Sequence, residues 1–145
     1  MAFVIFSGLL LFAALVGRSV IAQDWRTASS EPAGLAPDPA ATPEAVVQVY
    51  GARTWGWRGS FGVHTWVAVK PSEAEEWTVY EVVGWRLRWS ESAIVVHPRA
   101  PDARWFGSVP ELYADRRGPG VDELIERIDK AARRKTCSAR WWAGC

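Results

Sequence analysis

The stretch from Tyr50 to Trp66, YGARTWGWRGSFGVHTW, constrains this chain more than any other. It carries three of the ten tryptophans, one of the two histidines, and glycines at which the backbone can turn or be closely approached. A ring as large as indole is costly to leave unpacked, so a Trp-Gly-Trp step beside a patterned strand demands a specific scaffold. The pattern begins at Phe61. Phe61, Val63, Thr65, Val67 and Val69 fall on one face of an extended segment, and Gly62, His64, Trp66, Ala68 and Lys70 fall on the other. That alternation predicts a strand over Phe61–Lys70.

The rest of the chain is read from this strand outwards. AVVQVYGAR is rich in β-branched residues, and residues 45–50 are expected to form a strand. After the turn-like PSEAEE, WTVYEVVGW (Trp77 to Trp85) suits another. Symmetric closure of that loop sets Trp66 opposite Glu81 and His64 opposite Val83. His64 and Glu81 then become diagonal neighbours on one face. Arg86–Trp89 and Ala93–His97 read as a further hairpin. Pro98 to Pro110 reads as a loop, with Trp105-Phe106-Gly107 as an aromatic plug over the sheet. From Val121 the period changes. Val121, Leu124, Ile125, Ile128, Ala131 and Ala132 form an apolar stripe, opposed by Asp122, Glu123, Glu126, Arg127, Asp129 and Lys130. The fold class predicted is α+β: a small antiparallel sheet with a C-terminal amphipathic helix packed on it.

Residues 2–17, AFVIFSGLLLFAALVG, are an apolar run short of the roughly twenty residues a span needs. Extended to residue 22 it reaches that length by taking in Arg18, which can snorkel at one end. Residues 1–22 therefore read as a membrane anchor or a secretory signal, with Val20-Ile21-Ala22 as the cleavage candidate. Either reading places the following domain outside the cytoplasm, anchored at the inner membrane or exported to the periplasm. Residues 23–44 hold four of the nine prolines and read as a tether. The domain proper is expected over 45–134, followed by a tail over 135–145. With 145 residues and a formal charge of +1, one domain is expected, and a broad nucleic-acid footprint is excluded. Cys137 and Cys145 make no metal-ligand spacing, and neither a metal nor a cofactor is expected.

Gly51 to Lys70, YEVVGW (Tyr80 to Trp85) and PDARWFGSVPEL (Pro101 to Leu112) resemble the DUF3750 family of bacterial envelope proteins, whose function is unknown. Sequences of that family continue beyond the helix into Trp-Pro-Gly-Pro-Asn-Ser-Asn-Thr-Phe. The histidine-first order is similar to the circularly permuted papain-like (NlpC/P60-type) layout, in which a strand histidine precedes the nucleophile. The resemblance thus implies that the sheet is part of such a fold, with His64 as general base or acid. This sequence instead reads RRKTCSARWWAGC after Ala132, a tail expected to resemble no part of the family, as after a frameshift or premature stop.

Two sets of residues are candidates for a site. His64 with Glu81 could form a base whose tautomer is fixed by a carboxylate, or a hydrogen-bonding pair that only holds the strands together. Cys137 or Cys145 could supply a nucleophile only with a depressed pKa, which nothing in the sequence provides. His97, before Pro98, reads as a surface or edge residue. Trp55, Trp57 and Trp66, with Arg53 and Arg58 as polar partners, could form an aromatic platform for peptidoglycan or another envelope component. The competing reading for the tryptophans is a Trp-rich core.

Overall fold

A computed structural model describes residues 26–134. The anchor or signal, Trp25, Cys137, Trp141, Trp142 and Cys145 lie outside those residues. Five strands form one antiparallel sheet in the order β4-β3-β2-β1-β5. They are β1 (Val46–Arg53), β2 (Val63–Lys70), β3 (Thr78–Val82), β4 (Ile94–Pro98) and β5 (Glu111–Arg117), and the helix α1 spans Val121–Arg134. This is the expected α+β architecture. Among the described residues no helix is long and apolar enough to cross a membrane.

Alternation along the strands sorts side chains onto two faces, and each face has its own cover. On one, Val47, Val69 and Tyr80 pack against Val121 and Ile125 of α1. Acidic residues in the first turn of α1 and Arg133 and Arg134 in its last complement its dipole. Ser72 donates to the Asp122 carboxylate through both its amide and its hydroxyl, at 3.0 and 2.6 Å, and so ties the helix start to the β2–β3 turn. On the other face, Val46, Tyr50, Ala52, Trp66, Ala68, Trp77 and Val79 lie beneath Trp105 from the loop that precedes β5.

One expectation is corrected, and one strand is added. Arg86–Trp89 is not half of a hairpin: Gly84–Arg88 is a 3-10 helix, and β4 pairs directly with β3. Strand β5 went unread because its sequence, ELYADRR, lies at a sheet edge and is exposed throughout, so no buried alternation marks it. A register shift opposite Val49 and Tyr50 leaves Tyr113 as an extra residue, and its ring lies over Gly51. A Cβ at Gly51 would overlap that ring.

The described part of the segment expected as a tether runs along the 102–107 loop. Ala33 donates to the Asp102 carbonyl, Arg104 to Glu31, and Gly107 to Ser29, at 2.9 to 3.1 Å. The buried Asp102 carboxylate accepts from the amides of Leu35 and Ala36 at 2.6 and 3.2 Å. Backbone and carboxylate hydrogen bonds hold a segment whose composition offers little apolar surface to bury.

Candidate functional site

β2, β3 and β4 place His64, Glu81 and His97 on the same face. Trp66 pairs with Glu81, as symmetric closure of the β2–β3 loop predicted, while His97 pairs with Val79. Glu81 is therefore flanked diagonally by a histidine from each neighbouring strand. His64 Nε2 lies 2.9 Å from Oε2 of Glu81, and His97 Nε2 lies 2.9 Å from Oε1. Arg99 brings Nη1 to 3.6 Å from Oε1. The side chains of His64, Glu81 and His97 are 12%, 5% and 35% exposed, respectively. Burial alone would raise the Glu81 pKa. The hydrogen bond from His64 and the charges of Arg99 and both histidines outweigh it, holding the carboxyl below the ordinary glutamate value. Burial depresses the Arg99 guanidinium, and Glu81 partly offsets that depression.

An ionised carboxylate only accepts, so Nε2 of each histidine carries the proton that Glu81 receives. In neutral His64 this leaves the Nδ1 lone pair available. No serine, threonine or cysteine among the described residues bonds to His64. Its ring is fixed from above by Trp105, with centroids 3.6 Å apart and planes inclined by 16°. Trp105 is itself held by a tight turn in which it exchanges backbone hydrogen bonds with Ser108 at 3.0 Å in both directions. The central residues of that turn, Phe106 and Gly107, have φ of 47° and 84°, left-handed values that Phe rarely adopts. The expected aromatic plug thus lies directly on the expected base.

Trp66 is 1% exposed and donates from Nε1 to the Pro101 carbonyl at 2.7 Å, so it belongs to the core and not to a surface platform. Trp77 and Trp105 are also buried, whereas Trp55, Trp85 and Trp89 are exposed. Trp55 is 37% exposed, and the Arg58 guanidinium carbon lies 5.9 Å from its ring. Arg53 donates to the Gly59 carbonyl at 3.0 Å, bracing the turn that follows Trp55. The Trp57 side chain lies outside the described residues.

Sequence reasoning missed the parts played by His97 and Arg99. His97 does lie on an edge strand, as expected, but its ring turns inwards to the carboxylate. The signal was the alternation of Val95 and His97 against Ile94 and Val96. It was obscured by reading Arg86–Trp89 as a strand, which breaks the register between β3 and β4.

The family model for DUF3750, described as a protein of unknown function, matches residues 44–143. The chain belongs to the DUF3750 family. The matched region contains the whole His64–Glu81–His97 array and α1, and it also takes in residues 135–143 of the tail expected to be unlike the family. No curated protein and no solved structure matches this DUF3750 chain.

Proposed function

We propose that this DUF3750 domain carries the base of an amide- or ester-cleaving site, with His64 as general base and Glu81 as the residue that orients it. One observation carries the reading: Nε2 of a largely buried His64 is spent on Glu81, and Trp105 fixes the ring, so Nδ1 is left to accept a proton. In this reading Nδ1 takes the proton of a nucleophile supplied from outside the described residues, water included, as that nucleophile attacks a carbonyl carbon. The same proton then passes to the departing amine or alkoxide when the carbonyl–heteroatom bond breaks. The N-terminal segment would hold this chemistry at the inner membrane, on its periplasmic side.

A second reading, ligand binding without catalysis, draws on the exposed Trp55 ring with Arg58 beside it. An indole face offered to solvent next to a guanidinium suits stacking on a sugar ring of an envelope glycan.

The test is hydrolysis of a panel of activated esters and of peptidoglycan-derived peptides by the full chain. His64→Ala is expected to lower the rate at least 100-fold with its melting temperature retained, and added imidazole is expected to restore part of it. A His64→Ala rate equal to the parent's, or no turnover across the panel, overturns the base reading. In the latter case, retained binding of soluble glycan fragments that is lost in Trp55→Ala supports the second.

A further inference from the structure

The two ends of the sheet carry different side chains. The β1–β2 connection holds the 3-10 helix Gly56–Ser60, and the β3–β4 connection holds Gly84–Arg88. Both lie at the same end, because Val63 pairs with Arg53, Trp66 with Glu81 and Ile94 with Val82. Each 3-10 helix begins Gly-Trp-Arg. Around them large apolar side chains stand in solvent: Phe61 is 88% and Trp89 68% exposed, and Trp55, Trp85 and Leu87 are exposed as well. A chain of rings joins the two connections. Trp55 meets Phe106 at 6.4 Å between centroids, Phe106 meets Trp105 at 5.0 Å, and Trp105 meets Trp85 at 6.2 Å. Exposed apolar surface that runs on across separate connections marks an interaction site.

The charge at this end is one-sided. Residues 53–63 contain Arg53 and Arg58 and no acid, and residues 84–89 contain Arg86 and Arg88 and no acid. Arg53, Arg58 and Arg88 are exposed. Glu91 and Glu111 border the end and leave the arginines in excess. At the opposite end the β2–β3 connection, residues 71–77, contains Glu73, Glu75 and Glu76 and no base.

We propose that the aromatic, arginine-bearing end docks on an anionic bilayer surface, with Phe61, Trp85, Leu87 and Trp89 at headgroup depth and Arg53, Arg58 and Arg88 against lipid phosphates. Indole rings favour that depth, and cations beside them gain from the negative surface. The acidic end then points away, as the same field requires. A second copy of the chain would set arginines against arginines, and a glycan ring stacked on one indole would leave Phe61 and Leu87 uncovered. The chain also enters at this end. The Ser29 carbonyl accepts from the Gly107 amide beside Phe106 at 2.9 Å, and the apolar run 2–17 lies upstream in the sequence. The inference is independent of whether His64 acts as a base.

The test is NMR on the full chain in nanodiscs of phosphatidylcholine and phosphatidylglycerol that carry a headgroup spin label. Amide signals of residues 55–61 and 85–89 are expected to broaden at least fivefold more than those of residues 71–77. The difference is expected to fall below twofold in Phe61→Ser/Trp89→Ser and in Arg88→Glu, with melting temperatures retained. If the double variant fails to fold, Leu87→Glu is read in its place. Equal broadening at the two ends would overturn the assignment. So would a difference that survives these variants, or one that survives replacement of all phosphatidylglycerol by phosphatidylcholine. Contacts of the two connections with a second copy, or with soluble glycan fragments in place of lipid, would overturn it as well.

Discussion

The two faces of the sheet solve different problems. The helix face is held by aliphatic side chains meeting a helix stripe, with polar links only at its margins, through Asp122 and through the Tyr80 hydroxyl on Asp129 at 3.1 Å. The loop-covered face buries Gln48, Lys70 and Glu81 among its aromatics, each with hydrogen-bond partners. Gln48, for example, donates to Asp115 at 2.7 Å and accepts from Tyr50 at 2.9 Å. An aliphatic face tolerates small shifts because its contacts are non-directional. A face that buries polar groups does not, because each unpaired group costs as much as several good contacts supply. The His64–Glu81–His97 array lies on the second face, where directional partners hold each ring.

Three changes test that contrast. Trp66→Ala should have the largest effect, about 3–5 kcal/mol in urea unfolding, because it empties the loop-covered core and strands the Pro101 carbonyl. Ile125→Ala on the helix face should cost about 2–4 kcal/mol in the same measurement. If the helix-face change proved the more costly, the asymmetry between the faces would be wrong. Glu81→Gln should have the smallest effect at neutral pH, about 1–3 kcal/mol, since the amide keeps the shape but not the charge. Its signature lies in acid. The folded Glu81 carboxyl is held below its ordinary value of 4.5, so its contribution is present above that value and is lost as pH falls through the folded one. Melting temperatures followed from about pH 5 to about pH 2 should therefore fall less steeply in Glu81→Gln than in the parent. Parallel curves would show that the carboxylate is not held as described.

What the sequence disclosed follows a different division, between local and distant partners. The α1 stripe, the β2 alternation and the Trp66–Glu81 pairing were legible because periodicity and loop symmetry are local properties. Even the placement of Trp105-Phe106-Gly107 over the sheet could be anticipated, as a bulky aromatic step has few other places to go. His97, Arg99 and the docking of residues 29–36 were not legible. Each depends on partners far away in sequence: His97 reaches Glu81 only through a register set beyond a 3-10 turn, and Asp102 meets Leu35 and Ala36 across more than sixty residues. Proline-rich composition speaks to what a segment can bury, but not to which carboxylate will receive its amides.

The docking of residues 29–36 also bears on His64. Bonds from Ser29 to Ala36 run alongside the 102–107 loop and join the segment to the loop that carries Trp105 at several points. That indole rests on His64. A change in how residues 29–36 dock therefore has a short covalent and hydrogen-bonded path to the His64 ring.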